Sequence, residues 1–186
     1  MTGYAMCGSF CTLENSMAIL RQLVSMGTDI LPIMSDSVYT TDTRFGTSQK
    51  WINEVKSVCG RDIVHTIPDA EPLGPKISLD ALIICPCTGN TLAKLANGIT
   101  DTPVCMAAKA HLRQDRPLLI ALASNDAMSA NLGNIAKLSS RKNIFFVPMK
   151  QDDPVKKPHS LVADFSLLPD ALKAALGGKQ LRKMFL

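Results

Sequence analysis

Aromatic residues are scarce in this chain: six Phe, two Tyr and one Trp among 186 residues. So few rings, none interleaved with a basic cluster, leave little on which bases could stack. The formal net charge of +4 is spread over single residues and the pairs Arg141-Lys142, Lys156-Lys157 and Arg182-Lys183. No nucleic-acid partner is expected. Long apolar runs are missing too. The longest, Leu118 to Ala123, is six residues, against the roughly 20 needed to cross a bilayer. No leader pattern follows Met1, so neither secretion nor a membrane partner is expected. The three histidines (His65, His111, His159) are far apart, and Cys85-Pro86-Cys87 lacks knuckle spacing. No metal site is expected. The six cysteines, in a chain without a leader, read as small hydrophobes of a reducing compartment rather than as disulfides.

Several catalytic signatures are also absent. No G-K-S or G-K-T triplet occurs, which excludes a P-loop, and no G-x-S-x-G elbow occurs, which disfavours a serine hydrolase. The dinucleotide fingerprint is nearly met by Gly3-Tyr4-Ala5-Met6-Cys7-Gly8. Ala5 replaces the middle glycine, however, the residue that lets backbone approach a pyrophosphate.

What is present is enough apolar material for a core: 46% hydrophobic residues against 19% charged. The length predicts one domain, 1–186, with a C-terminal tail and helix from about 150. Short apolar runs alternate with helical patterns, the form of a Rossmann-like α/β protein. Strands are expected at Tyr4–Cys7, Asp29–Met34, Ile63–Ile67, Leu82–Cys85, Leu118–Ala123 and Ile144–Val147. Pro32 is an objection to the second of these, because proline donates nothing to a central ladder. Between the strands, Leu13, Met17, Leu20 and Val24 share one helical face, and Ser48–Cys59 forms a second helix stopped by Gly60. Further helices are expected up to Asn97, over Pro103–Arg113, up to Ser139, and from near Pro169. Pro68, Pro72 and Pro75 mark a loop between the two halves of the sheet. The expected architecture is a doubly wound parallel sheet of about six strands in a three-layer α/β/α sandwich.

In such sheets ligands bind beyond the carboxyl ends of the strands. Four strands here end in small hydroxyl or amide residues: Gly8 and Ser9 with Thr12; Ser35 and Ser37; Thr88, Gly89, Asn90 and Thr91; and Ser124 with Asn125. Side-chain oxygens and free N–H groups at helix starts can hold a phosphate without any lysine. A mononucleotide such as FMN fits that chemistry. Asn125 both donates and accepts hydrogen bonds and is the candidate active-site amide. Arg44 is the candidate clamp for a carboxylate, through two parallel bonds. His65 reads as structural, Lys109 and Arg113 as surface or inter-chain contacts, and Lys156-Lys157 as a solvated tail, with closure over an acidic ligand as the alternative.

The segment Pro86-Cys87-Thr88-Gly89-Asn90-Thr91-Leu92-Ala93-Lys94-Leu95-Ala96-Asn97-Gly98-Ile99-Thr100-Asp101 resembles the motif of the flavin-binding cysteine-decarboxylase superfamily. That superfamily includes phosphopantothenoylcysteine decarboxylases, lantibiotic decarboxylases and flavin prenyltransferases. Gly8-Ser9 and Ser35 match its FMN-phosphate positions. The substrate clamp of its decarboxylases, roughly Pro-x-Met-Asn-x-x-Met-Trp, is reduced here to Asn125 and Met128, and no cysteine follows Cys105. Thr43-Arg44-Phe45-Gly46, Ala70 to Lys76, Met106 to Lys109 and Gln151 to Pro154 resemble one branch of the superfamily that forms dipicolinate. The resemblance implies FMN as cofactor and a trimer-based homo-oligomer. It further implies a second, nicotinamide-binding chain as partner (the A subunit), and two-electron oxidation of a dihydrodipicolinate-type dicarboxylate during sporulation, in the mother-cell cytoplasm. Two alternatives stay open: an FMN-dependent decarboxylase, and a non-catalytic flavin-fold protein that supports its partner.

Overall fold

A computed structural model describes residues 1–186. Five parallel strands form its centre: β1 (Thr2–Met6), β2 (Ile30–Met34), β3 (Ala81–Cys87), β4 (Leu118–Ser124) and β5 (Ile144–Phe146). Their spatial order is β2-β1-β3-β4-β5. Order therefore reverses between β1 and β3, the position at which open sheets of this type accept ligands.

Every residue of β1 and β3 is buried. Alternate side chains enter opposite layers, as the two-residue period of a strand requires. Tyr4, Met6, Ile83 and Cys85 point into one core with α1 (Leu13–Ser25), α2 (Asp36–Thr40), α3 (Ser48–Cys59) and α8 (Leu168–Leu176). Ala5, Cys7, Ile84 and Cys87 point into the other, against α5 (Gly89–Asn97), α6 (Pro103–Leu112) and α7 (Leu132–Ser139). The three-layer α/β/α sandwich is thus present.

The helix boundaries follow local chemistry. Thr47 caps α3 by accepting from the Lys50 N–H at 3.2 Å, and Gly60 ends that helix at φ +65°, a conformation glycine adopts without a Cβ penalty. Pro103 opens α6, and Thr102 caps it, where the missing proline N–H costs nothing.

Two expectations are corrected and one objection is answered. Residues 63–67 do not form a strand. Val64 makes one bridge to Ile33, after which Thr66 caps the short helix α4 (Ile67–Ala70), with Pro68 in its first turn. Capping chemistry and an N-terminal proline outweigh a brief β-branched run. The sheet is also not wholly parallel. After β5 the chain forms β6 (Met149–Lys150) and β7 (Leu161–Ala163), which pair antiparallel with each other, and β7 pairs antiparallel with the end of β4. The expected tail is therefore a hairpin of the sheet, which brings the strand count to seven. Finally, Pro32 does sit in a strand. Apart from the single Ile33–Val64 bridge, β2 pairs with β1 alone, and such an edge position tolerates a residue without an N–H.

Candidate functional site

Beyond the carboxyl ends of β1, β2 and β3 lies a cleft of about 380 Å³. Six of the expected residues line it: Gly8, Ser35, Ser37, Thr88, Asn90 and Thr91. Three short turns deliver them, each just past a strand end. Cys7, after β1, donates its N–H to the Pro86 carbonyl at 3.1 Å, which ties the β1 and β3 turns together across the switch point.

The polar groups of this cleft are already ordered. Ser35 Oγ and Ser37 Oγ lie 3.0 Å apart. Thr88 Oγ1 accepts from the Thr91 N–H at 3.2 Å and donates to Thr91 Oγ1 at 3.1 Å. Thr91 Oγ1 in turn donates to Cys7 Sγ at 3.4 Å. Thr88 is thus the N-cap of α5, and the N–H groups of Gly89 and Asn90 in its first turn lie beyond the reach of intrahelical acceptors. Free N–H groups and the positive end of the helix dipole attract an anion. No cation lines the cleft, so an anion there would be held by hydroxyls and backbone alone. Gly8 keeps the space open, because a Cβ at that position would come within 2.8 Å of Ser37 Oγ.

Ser9, Ser124 and Asn125 line a second cleft of about 300 Å³ on the other side of the β1 turn. Gly8 and Ser9, adjacent in sequence, therefore serve different clefts. Ser9 Oγ accepts from Thr12 Oγ1 at 3.0 Å. The hydroxyl of Ser124 donates to the Asp126 carboxylate, which also accepts from Asn131 Nδ2 at 3.0 Å. These bonds, that from Ser124 foremost, hold the Asp126 carboxyl below its usual range. Asn125 beside them is exposed. Gly89 packs tightly against the same turn: a Cβ on it would lie 2.5 Å from Ser124 Oγ and 2.8 Å from Asp126 Oδ1. The α5 start and the β4 end are thereby held in fixed relation.

Arg44 does not join either cleft. Thr43 and Gly46 exchange backbone hydrogen bonds of 3.0 and 3.1 Å, and this tight turn leaves Arg44 exposed with its guanidinium 4.8 Å from the Phe45 ring centre. His65 is not at the clefts either; it stacks on Tyr39 with ring centres 3.8 Å apart. Four of the six cysteines are buried, as expected of small hydrophobes, and burial pushes the Cys7 thiol up to about 12. Such a thiol is no nucleophile near neutrality.

Sequence reasoning missed Thr102 in the first cleft, and Asn15 and Asp152 in the second, while Thr12 and Lys157, both singled out in the sequence, do line the second. Thr102 had a signal, since a threonine directly before Pro103 marks a helix start. Asp152 had none, because only the antiparallel hairpin brings it to the end of β4.

A hydroxyl-lined cleft at the switch point of a three-layer α/β/α sheet is where proteins of this architecture accept a ligand. Residues 3–169 match the Flavoprotein family, and the chain belongs to it, a family of flavin-dependent enzymes. Within it, the chain is 44% identical over 180 residues to the B subunit of dipicolinate synthase from Bacillus subtilis (strain 168), covering 97% of this chain and 90% of that protein. The crystal structure of the corresponding B subunit from Bacillus halodurans C superposes with a TM-score of 0.91 at 42% identity, over 100% of this chain and 95% of the other. The FMN-dependent cysteine decarboxylase SpaF shares the fold, with a TM-score of 0.67 at 24% identity over 94% of this chain and 95% of that one. No helix here is long and apolar enough to cross a membrane.

Proposed function

We propose that this chain is the flavin-binding B subunit of a two-chain dipicolinate synthase. It binds FMN and acts with the A subunit in oxidising a dihydrodipicolinate-type precursor to dipicolinate in the mother-cell cytoplasm of a sporulating bacterium. The observation that carries this reading is the 44% identity over 97% of the chain, combined with an intact phosphate-type cleft. The residues present fit the cofactor. Gly8, Ser35, Ser37, Thr88, Asn90 and Thr91 would hold its phosphate, and the adjoining cleft with Ser9, Ser124 and Asn125 would hold the ring end and the substrate.

Aromatising the precursor removes two hydrogens, one leaving as hydride with its electron pair and one as a proton. A bound flavin supplies two-electron acceptance, and the protein supplies orientation and electrostatics. Asn125, free of internal partners and exposed at the strand end, is placed to hydrogen-bond the substrate in either direction. The carboxylates need a cationic or N–H partner, because burying one unpaired is costly.

The proposed assembly is a trimer-based homo-oligomer joined by the A subunit. Co-expression of the two chains, followed by assay of each one alone and then both together, tests the reading. Dipicolinate formed only by the flavin-loaded pair supports it. Dipicolinate formed at the full rate without this chain would overturn it, formation by the pair without flavin would demote this chain to a supporting role, and carbon dioxide released from phosphopantothenoylcysteine would make it a decarboxylase.

A further inference from the structure

The loop between β6 and β7, expected to be a solvated tail, is built into the second cleft. Asp153 Oδ1 accepts from the N–H groups of Val155 and Lys156 at 3.2 and 3.0 Å, and the Lys157 N–H bonds to the Asp153 carbonyl at 2.8 Å. Gln151 Nε2 spans the loop to the Pro158 carbonyl at 3.1 Å. The far end is fastened to the β4 side, where the Met128 N–H donates to the His159 carbonyl at 2.9 Å. A loop held at both ends and across its middle places its side chains reproducibly.

Lys157 is the single cation lining either cleft, and it shares its cleft with Ser9 and Asn125. Its ammonium is paired with Asp152 of the same loop. Both side chains remain partly exposed, 47% for Lys157 and 39% for Asp152. An ion pair in that setting contributes little, because water screens it. A carboxylate arriving from solvent can therefore take the place of Asp152 without a large penalty.

We infer that Lys157 is the substrate-carboxylate anchor of this protein, exchanging its internal partner Asp152 for one carboxylate of a small dicarboxylate ligand. The inference rests on the reading under Proposed function and deepens it, moving the cationic contact from Arg44 to Lys157. Asp152 then acts as a stand-in anion that keeps the ammonium aimed into the cleft while no ligand is present. Asn125, lining the same cleft from the end of β4, is left to contact the other end of the ligand.

The test uses the full-length FMN-loaded protein and titration calorimetry, with pyridine-2,6-dicarboxylate as the probe. Lys157→Met should weaken binding about three- to fivefold, the upper part of the range for a partly screened charge pair. Lys156→Met, an equal charge change one residue away on an exposed side chain, should leave affinity within about twofold. Asp152→Asn removes the internal competitor and should tighten binding about two- to fivefold. Flavin absorbance, recorded on the same samples, should be equal in all four proteins. Equal affinity of the parent and Lys157→Met overturns the inference while leaving the proposed function standing. Weaker binding in Asp152→Asn overturns the exchange. A parent that holds flavin yet takes no dicarboxylate overturns both.

Discussion

Gly8 and Ser37 are in such close register that a single added carbon on residue 8 would sit 2.8 Å from Ser37 Oγ and 3.3 Å from its Cβ. The two residues come from different strand ends, after β1 and β2, and face the same cleft. Their spacing leaves no room for a side chain at this point of the cleft wall. The Ser35–Ser37 hydroxyl pair, 3.0 Å apart, depends on Ser37 remaining where it is.

Gly8→Ala should accordingly weaken FMN binding about tenfold, the loss of roughly one charge-assisted hydrogen bond. The added methyl displaces Ser37 at the cleft wall rather than in the core, so the urea midpoint should hardly move. Calorimetric titration with FMN and urea denaturation, run on the same preparations, check both halves. A variant that unfolds early but binds FMN normally would show that Gly8 serves folding instead.

Ser16→Ala tests the buried polar link behind the site. Ser16 Oγ donates to the Cys85 carbonyl at 2.6 Å, and Tyr4 OH donates to the Ser16 carbonyl at 2.9 Å. All three residues are fully buried. Removing the hydroxyl leaves the Cys85 carbonyl without that donor, which should cost about 1–3 kcal/mol. Urea unfolding should show a lower midpoint with an unchanged slope.

His111 makes stability depend on pH. It is fully buried; Nε2 lies 2.9 Å from the Pro117 carbonyl, and Nδ1 has no partner. Burial lowers its pKa. The unfolded histidine therefore takes up a proton more readily than the folded one. Its contribution to stability is complete above the unfolded value of about 6.5 and is lost as pH falls below it, down to the folded pKa. The parent should lose stability between pH 7 and pH 5 more steeply than His111→Gln, by at most about 1.4 kcal/mol per pH unit. Urea midpoints across that range measure the difference in slope. Parallel slopes would mean that His111 does not titrate there.

Alkylation should separate the six cysteines. Cys11 is exposed, whereas Cys7, Cys85, Cys87 and Cys105 are buried, and burial pushes the thiols of Cys7 and Cys85 up to about 12 and that of Cys59 to about 11. Since the thiolate is the reactive form, iodoacetamide at pH 8 should label Cys11 first and the buried four only on unfolding. Peptide mapping after timed quenching shows the order. Rapid labelling of Cys7 would mean that the β1 turn opens in solution.

Much of the candidate cleft was legible in the chain, because small polar residues directly after apolar runs mark strand ends. Gly8, Ser35, Ser37, Thr88, Asn90 and Thr91 do converge on one cleft. Ser9, Ser124 and Asn125 belong to its neighbour, a division that strand-end chemistry cannot anticipate. Consecutive residues of a turn point in different directions, and which one faces which cleft depends on the neighbouring strand. Arg44 reads locally as a clamp, but the Thr43–Gly46 turn holds it on the surface.

By itself the sequence determined those features whose causes are local: the buried β1 and β3, the capped helices α3 and α6, and the hydroxyl-rich turns. Periodicity, caps and glycines act within a few residues and need no partner to take effect. Only the tertiary structure decided the features that depend on pairing at a distance. Those are the edge position that tolerates Pro32, the loss of a strand at 63–67, and the hairpin that carries Lys157 to the end of β4 beside Asn125. The two- and three-residue strands of that hairpin have too little pattern to specify a partner. Their place follows from the backbone hydrogen bonds left unpaired along the end of β4, which the buried sheet must satisfy.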